Sequence, residues 1–354
     1  MIKSMRSPQY FVVGAGAISK VGEHAAHFGR RALVIGGNRA LEAARPGLLA
    51  SLDASGVSYH VEQGDHVRKT LQSVNALCDM GRQQKADLVI GCGGGAVMDC
   101  GKAVSHDLGV PYIAVPTTAG VNAAGTSGAS IEGDTGPRRH WYQAVDVVIA
   151  DTAIIAQAGA RTLASGMGDA LPSKFGAQLA QWRGARDVTA SRIAFAHLCS
   201  DTILTYGTRA FRACEQGVPT DEVDRVVEAV LYQSGVGGFG LGGDHVLHPA
   251  RMPGARPDII HGEWVAFGTL VRLVLGGEFP ADLPRIIAFD RSVRLPTTFA
   301  EFGLDNPSWE DVLEEARRIV GPKGEADYGT GRPVTPEEVC EAMFEVDYLG
   351  RTLT

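Results

Sequence analysis

The stretch that decides the fold is Asp87-Leu88-Val89-Ile90-Gly91-Cys92-Gly93-Gly94-Gly95-Ala96-Val97-Met98-Asp99, where a short apolar run meets a row of glycines. An unbroken run of Leu, Val and Ile is typical of a strand that is buried on both faces. The glycines allow a tight turn and a close approach of backbone N–H groups to a phosphate, which the dipole of a following helix also favours. The pattern matches neither a P-loop nor a spaced GxGxxG motif. A tight turn without a ligand has the same pattern, so the loop alone leaves phosphate binding open.

The alternation of strand and helix continues on both sides of this stretch. Further strands are predicted at 32–35, 57–61 and 112–115, and helices near 39–54, 67–84 and 96–107. Apolar strands separated by helices predict an α/β domain with a parallel sheet covered on both faces. An α+β domain with antiparallel strands is the alternative.

The strand pattern ends near residue 151. Beyond it, apolar residues recur at steps of three and four in the segments 161–183, 188–212, 221–234, 262–275, 309–319 and 336–349. This periodicity predicts a bundle of α-helices. Because 354 residues exceed the size at which a single core usually stops growing, we expect two domains, an α/β domain at 1–158 and an all-α domain at 159–354.

The composition excludes several classes of function. The chain has 33 basic and 40 acidic side chains, a net charge of −7, and nucleic-acid binding needs a cationic face. It contains no apolar run of the roughly 20 residues that cross a bilayer, and no signal-peptide pattern. The six cysteines are scattered without a CxxC pair, as in reduced cytoplasmic proteins. We therefore expect a cytoplasmic enzyme or binding protein with neither nucleic acid nor membrane as a partner.

A second polar loop follows the next strand along the chain. It reads Pro116-Thr117-Thr118-Ala119-Gly120-Val121-Asn122. Ligands of open α/β sheets bind at the carboxyl edge of the strands. We therefore expect this loop to lie beside the glycine loop and to form the other wall of one binding site.

Three residues far apart in the sequence form a candidate metal site. Asp169 lies in an early turn of a predicted helix, His245 follows Gly242-Gly243-Asp244, and His261 opens another helix. One carboxylate and two imidazoles suit Zn²⁺ with a coordination position left open. Taken separately, Asp169 also fits a helix cap and His245 a hydrogen-bonded core histidine. His248, about one helical turn from His245, is either a supporting group or an alternative ligand.

Together these motifs resemble the glycerol dehydrogenase branch of the iron-containing (group III) alcohol dehydrogenases, whose superfamily also contains dehydroquinate synthase. The resemblance runs along nearly the whole chain. It rests on GGGxxxDxxK at 93–102, PTTA at 116–119, DTAII at 151–155, RTLASGMGDAL at 161–171 and HGEWVAFGTL at 261–270.

The resemblance implies a Rossmann-like dinucleotide-binding domain, a dehydroquinate synthase-like helical domain for metal and substrate, and an active site between them. It implies that Asp169, His245 and His261 bind Zn²⁺, with Fe²⁺ as the alternative metal. Iron-type relatives carry a further histidine four residues after the aspartate, where this chain has Ser173. The residues expected to contact NAD or NADP are Gly37, Asn38, Gly93, Gly94, Gly95, Ala96, Asp99, Lys102, Thr117, Thr118, Gly120, Thr126 and Gly128.

Two positions depart from the pattern of the glycerol dehydrogenases. Where these have a carboxylate for the adenosine ribose, this chain has Gly37, followed by Asn38 and Arg39. Loss of the anion and gain of a cation relieve repulsion of a 2′-phosphate, so NADP is as open as NAD. Asn122 replaces an aspartate that faces the substrate hydroxyls, and an amide is a poor base. Glycerol itself is therefore in doubt as the substrate.

The leading hypothesis is NAD(P)-linked interconversion of a small alcohol, one with a neighbouring hydroxyl, and its ketone or aldehyde. Asp169, His245, His261 and Asn122 are its catalytic residues, the metal acts as a Lewis acid, and a homo-oligomer is expected, as in relatives. The alternative is a sugar-phosphate cyclase, a lyase like dehydroquinate synthase that uses NAD transiently. It needs cations for a substrate phosphate, and Lys174, Arg251 and Arg256 are the candidates. A third hypothesis is a protein that only binds a nucleotide. The set of Asp169, His245 and His261 argues against it, because nucleotide binding alone needs no metal site.

Overall fold

A parallel sheet forms the first half of the chain. A computed structural model describes residues 3–133, 136–185, 188–238, 245, 247–320 and 328–353. The strands are β1 (Tyr10–Gly14), β2 (Arg31–Gly36), β3 (Ser58–Gln63), β4 (Leu88–Gly93), β5 (Tyr112–Pro116), β6 (Gly128–Gly133), β7 (Gly136–Trp141) and β8 (Val147–Asp151). Six of them pair in parallel in the order β1-β8-β5-β4-β2-β3, whereas β6 and β7 form a separate antiparallel hairpin. The parallel α/β prediction is confirmed, and the antiparallel alternative is wrong for the main sheet.

Strand β1 is held in the sheet by strand β8, which comes much later in the chain. β1 pairs with β8 from Tyr10 opposite Val147 to Gly14 opposite Asp151. The Asp151 carboxylate is 2% exposed and accepts hydrogen bonds from the backbone N–H groups of Gly16 at 3.1 Å and Ile18 at 3.0 Å. The aspartate of the DTAII motif therefore has a structural role, because it holds the turn that leaves β1.

Helices cover both faces of the sheet and make up the second half of the chain. Those of the α/β part are α1 (Val21–Phe28), α2 (Asn38–Ala54), α3 (Leu71–Gln83), α4 (Gly95–Leu108) and α5 (Thr152–Gln157). The others are α6 (Ala160–Ala170), α7 (Ser173–Trp182), α8 (Ala190–Glu215), α9 (Asp221–Glu228), α10 (Ser234–Gly237), α11 (His261–Gly276), α12 (Leu283–Ser292), α13 (Trp309–Val320) and α14 (Pro336–Thr352). The helical second half is confirmed.

Two features of the helical half differ from the sequence pattern. The helix expected at 161–183 is broken between α6 and α7, because Pro172 has no N–H with which to continue the hydrogen bonds of α6. A π-helical turn, Ala229–Gln233, joins α9 to α10. In the part of the chain that the structure describes, we find no helix with the length and hydropathy needed to span a membrane.

The apolar core lies in two layers. The smaller one packs α1 and α2 against one face of the sheet, through residues such as Leu41, Leu48 and Ile90. The larger one begins on the other face and continues without a break into the helical half, from Leu33 to Val346. The carboxyl edge of the sheet is therefore fixed directly against the helices. The division into domains at 158 and 159 stays a prediction.

Candidate functional site

The glycine loop ends β4 and begins α4. Gly94 is the N-cap of α4, so the helix starts at Gly95. Gly94 and Gly95 are half-buried and Ala96 is exposed, whereas Gly93 is buried inside the sheet. The first N–H groups of a helix lack partners within the helix and carry its positive partial charge. This open turn therefore has the features of an anion site.

The threonine loop lies beside the glycine loop, as predicted. The backbone N–H of Thr117 donates to the carbonyl oxygen of Gly93 at 3.0 Å. A Cβ on Gly94 would lie 3.4 Å from Oγ1 of Thr118, and one on Gly95 would lie 2.7 Å from Val121. Since the loops are in contact, a glycine is required at position 95 for this close approach.

Asp99 and Lys102 stabilise the wall of the site from inside. Nζ of Lys102, 2% exposed, donates to the carbonyl oxygens of Ala123, Thr126 and Gly128 and lies 3.2 Å from the Asp99 carboxylate. The other oxygen of Asp99 accepts from the N–H of Ser130 at 3.1 Å. These contacts fasten the start of the β6–β7 hairpin to α4, so Lys102 is directed into the protein.

Gly37 lies at the end of β2, the strand next to β4. It is the N-cap of α2 with a φ of −74°, a conformation that any residue adopts, and a Cβ there would meet nothing within 4 Å. Neither the backbone nor the packing therefore requires a glycine. Asn38 is exposed, and its Nδ2 donates to Asp65 at 3.3 Å.

The candidate metal residues converge in the structure. Oδ1 of Asp169 lies 3.1 Å from Nε2 of His245 and 3.2 Å from Nε2 of His261. One ligand atom from each of the three residues lies within 4.8 Å of the others. Asp169 lies in the last turn of α6, so its prediction in an early turn of a helix is wrong; the helix begins at Ala160, nine residues before it. His261 lies in the first turn of α11, as predicted. The structure describes His245 but not the predicted neighbours Gly242, Gly243 and Asp244, which lie outside the described residues. The predicted grouping is thus found.

This donor set fits a divalent cation. Tetrahedral bonds of about 2.0–2.1 Å place neighbouring ligand atoms about 3.3 Å apart, close to the carboxylate–imidazole distances here. Burial has the largest single effect and raises the pKa of Asp169, but the hydrogen bonds and the charges of His245 and His261 together hold the pKa well below its usual value. The carboxylate is therefore ionised and suited to bind a cation.

Asn122 joins the threonine loop to this carboxylate. Its backbone N–H donates to Oδ2 of Asp169 at 3.3 Å, and its Nδ2 donates to Oγ of Ser234 at 3.0 Å. Asn122 is half-buried and Ser234 is 2% exposed. The sequence analysis missed Ser234, since a lone serine after a long helical pattern carries no signal.

His248 is not among the converging ligands of the described residues. Its ring stacks on Trp264 with centroids 3.9 Å apart, and Trp264 meets the ring of His261 edge-on at 4.8 Å. Burial lowers the pKa of His248, as does the nearby Arg251. His248 thus contacts Trp264, which in turn contacts His261; its role as a supporting group stays a prediction.

Comparison with known proteins shows the family to which the chain belongs. Residues 8–157 match the family model described as iron-containing alcohol dehydrogenase. Glycerol dehydrogenase from Citrobacter freundii is 31% identical over 362 residues, covering 99% of each chain. The chain belongs to the iron-containing alcohol dehydrogenase family. The resemblance inferred from the motifs is thereby confirmed.

A further relative and a solved structure are also similar to this chain over nearly its whole length. Glycolaldehyde reductase from Halobacterium salinarum is 32% identical over 367 residues, covering 99% of each chain. The crystal structure of a probable glycerol dehydrogenase from Sinorhizobium meliloti has a TM-score of 0.85 at 27% identity, and the match covers 99% of this chain and 100% of that one. As a member of the family, the chain is an oxidoreductase that acts on CH–OH groups.

Proposed function

We propose that the enzyme interconverts a two- or three-carbon polyol and its hydroxyaldehyde or hydroxyketone by hydride transfer to and from NAD(P). The size of the substrate rests on the names of the relatives, a glycerol dehydrogenase and a glycolaldehyde reductase. The observation that carries the assignment of the site is the convergence of Asp169, His245 and His261 beside the two loops.

In this proposal Asp169, His245 and His261 hold the metal. The position of the further iron-type histidine is Ser173, whose side chain is buried, so we assign Zn²⁺, with Fe²⁺ as the alternative that the family name indicates. When bound, the cation supplies Lewis acidity toward the substrate oxygen. The buried carboxylate keeps its negative charge, and the two half-exposed imidazoles leave one side of the site open to substrate.

Asn122 is the proposed substrate-binding residue. Because its Nδ2 is engaged by Ser234, the amide oxygen is the part of the side chain that accepts a hydrogen bond from a substrate hydroxyl. An amide carries no charge, so it orients the second hydroxyl without removing its proton. This arrangement favours a neutral diol or hydroxycarbonyl substrate.

The dinucleotide is proposed to bind along the two loops, with its pyrophosphate at the N-terminus of α4. Gly94, Gly95 and Ala96 present backbone N–H groups there, and Thr118 and Gly120 form the opposite wall. Gly37 itself contributes no carboxylate at the ribose end, so we propose that both NAD and NADP are accepted. Asp99 and Lys102 stabilise the wall of this site through their bonds to the start of the β6–β7 hairpin. We propose that they do not contact the cofactor themselves.

The proposal also covers the quaternary structure and the location of the enzyme. We propose a homo-oligomer, as expected from the resemblance. We propose the cytoplasm because all six cysteines are buried as free thiols, as is usual in a reducing compartment. The two-domain division at 158 and 159 remains part of the proposal.

None of the relatives named above is a sugar-phosphate cyclase, and two of the three candidate cations for this alternative are paired with acidic side chains. Nη1 and Nη2 of Arg256 donate to Asp258 and Glu263, at 2.9 and 2.7 Å. Nζ of Lys174 lies 3.9 Å from the carboxylate of Asp201. These two cations are therefore neutralised by acidic side chains, whereas a phosphate site needs their charge.

A turnover assay tests the proposal. Purified protein stripped of metal and reloaded with Zn²⁺ or Fe²⁺ is mixed with NAD⁺ or NADP⁺ and a panel of small diols, glycerol, hydroxyaldehydes and monoalcohols. We expect reduced nicotinamide to accumulate with the diols, and far less with monoalcohols. No change in nicotinamide absorbance across the panel with either cofactor and either metal would refute it. Phosphate release from a sugar phosphate without net cofactor turnover would instead favour the cyclase.

A further inference from the structure

One face of α6 contacts the first turn of α11 at three successive levels. Arg161, Ser165 and Asp169 are spaced by four residues, so they lie above one another on the helix surface. Arg161 binds Glu263 at 2.6 Å, Ser165 accepts from the N–H of Gly262 at 3.0 Å, and Asp169 meets His261 at 3.2 Å. The contact between Asp169 and His261, both proposed metal ligands, is thus the last of three successive contacts between α6 and α11.

Ser165 joins three elements of the site through one buried hydroxyl. It is 3% exposed. Its Oγ accepts the N–H of Gly262 and donates to the carbonyl oxygen of Gly120 at 2.9 Å. A Cβ on Gly262 would lie 1.7 Å from the carbonyl oxygen of Ser165, so the backbones of α6 and α11 touch here. This hydroxyl therefore fixes the start of α11 relative to the threonine loop.

Glu263 is the charged counterpart of this contact. Its side chain is 4% exposed and lies between two arginines, with Arg161 at 2.6 Å and Arg256 at 2.7 Å. The same carboxylate accepts the N–H of Ile260 at 3.1 Å, just before α11 begins. A buried carboxylate is stable only when it is paired and hydrogen-bonded. These partners hold the start of α11 in one position. Glu263 is only two residues from His261, so they also fix the backbone of His261.

We propose that Glu263 and Ser165 are positioning residues, which keep the imidazole of His261 directed at the Asp169 carboxylate. The inference rests on the proposed metal site. In this proposal neither residue contacts the ion or the substrate. Ser165 binds the backbone N–H of Gly262, and Glu263 binds the backbone N–H of Ile260. Outer partners of this kind are worth about 10–100-fold in metal affinity, so loss of either weakens binding without removing a ligand.

The test measures metal affinity rather than turnover. Co²⁺ binding to the metal-free protein is measured by competition with a chelator, and the visible absorption of bound Co²⁺ reports its coordination. Glu263→Gln keeps the size of the side chain and an acceptor for Ile260, but removes the charge that pairs with Arg161 and Arg256. Glu278→Gln is the matched control, because Glu278 pairs with Arg272 at 3.0 Å beyond the other end of the same helix.

We expect Glu263→Gln to lose about 10–100-fold in Co²⁺ affinity with an altered absorption band, and Glu278→Gln to match the wild type. Equal affinities of all three proteins, or equal losses in both variants, overturn the proposal. If Glu263→Gln does not fold, Ser165→Ala is judged by the same criterion. Asp169→Asn separates the two proposals, since Co²⁺ binding as tight as in the wild type would refute the metal site itself.

Discussion

Gly166 offers a direct test of how closely the helical half must approach the threonine loop. A Cβ added to Gly166, on α6, would lie 1.8 Å from the carbonyl oxygen of Ala119. Ordinary van der Waals contact begins near 3.4 Å, so in Gly166→Ala these atoms must separate by about 1.6 Å. Because Asp169 is on the same helix, the metal site moves away from the loop. A misplacement of about 1 Å costs about 100-fold in rate, and we expect at least that loss in kcat/KM.

Gly22→Ala is the matched control for this substitution. A Cβ on Gly22, in α1, would lie 1.9 Å from the carbonyl oxygen of Ser51, which is a clash of the same size between α1 and α2. Both variants should lose about 1–3 kcal/mol in the free energy of unfolding, as overpacked sites do. Steady-state kinetics on the folded proteins then isolates the effect on the site. Normal kcat/KM in Gly166→Ala, or an equal loss in Gly22→Ala, would refute this reasoning.

Three other predictions concern the metal, the cofactor and the core. Asp169→Asn should abolish turnover and metal retention, yet keep cofactor affinity in a fluorescence titration; equal loss of both would contradict the site. Gly37→Asp should shift the kcat/KM ratio at least tenfold toward NAD⁺, because the added carboxylate repels a 2′-phosphate. Burial, and then Glu301, raise the pKa of Asp290 well above its usual value, so its stabilising contribution is lost as pH rises. Asp290→Asn should therefore raise Tm at pH 7 by about 1–2 °C, which is about 1 kcal/mol for a chain of 354 residues, but not near pH 4; a gain independent of pH would refute this.

The parallel sheet could be predicted because its central strands carry a strong local signal. β4 and β5 are buried at every residue, so their sequences are apolar without interruption. The β6–β7 hairpin has no such signal, because Gly128–Gly133 and Gly136–Trp141 are rich in glycine and polar residues. It is held by Lys102 of a distant helix instead, and a contact of that range leaves no periodicity in the sequence.

The site was predictable where the residue type limits the chemistry, and less so elsewhere. Asp169, His245 and His261 are uncommon in their local patterns, and metal coordination explains all three at once. Lys102 was expected to face the cofactor, since charge beside a glycine loop is usual there. Its burial depends on carbonyl groups more than 20 residues away. Ser165 acts through two hydrogen bonds and Ser234 through one, and serines are too common in helices for such contacts to be recognised from sequence.

The pairing of β1 with β8 also determines when the sheet can be completed during synthesis. Among the residues that the structure describes, β1 has one neighbour in the sheet, and Tyr10 pairs with Val147, 137 positions later. Until Asp151 has been made, Gly16 and Ile18 have no carboxylate to hold their turn. The inner strands β2, β4 and β5 can associate earlier, whereas long-range pairing is slow. A nascent chain that stalls before residue 147 therefore leaves β1 without the strand that it pairs with.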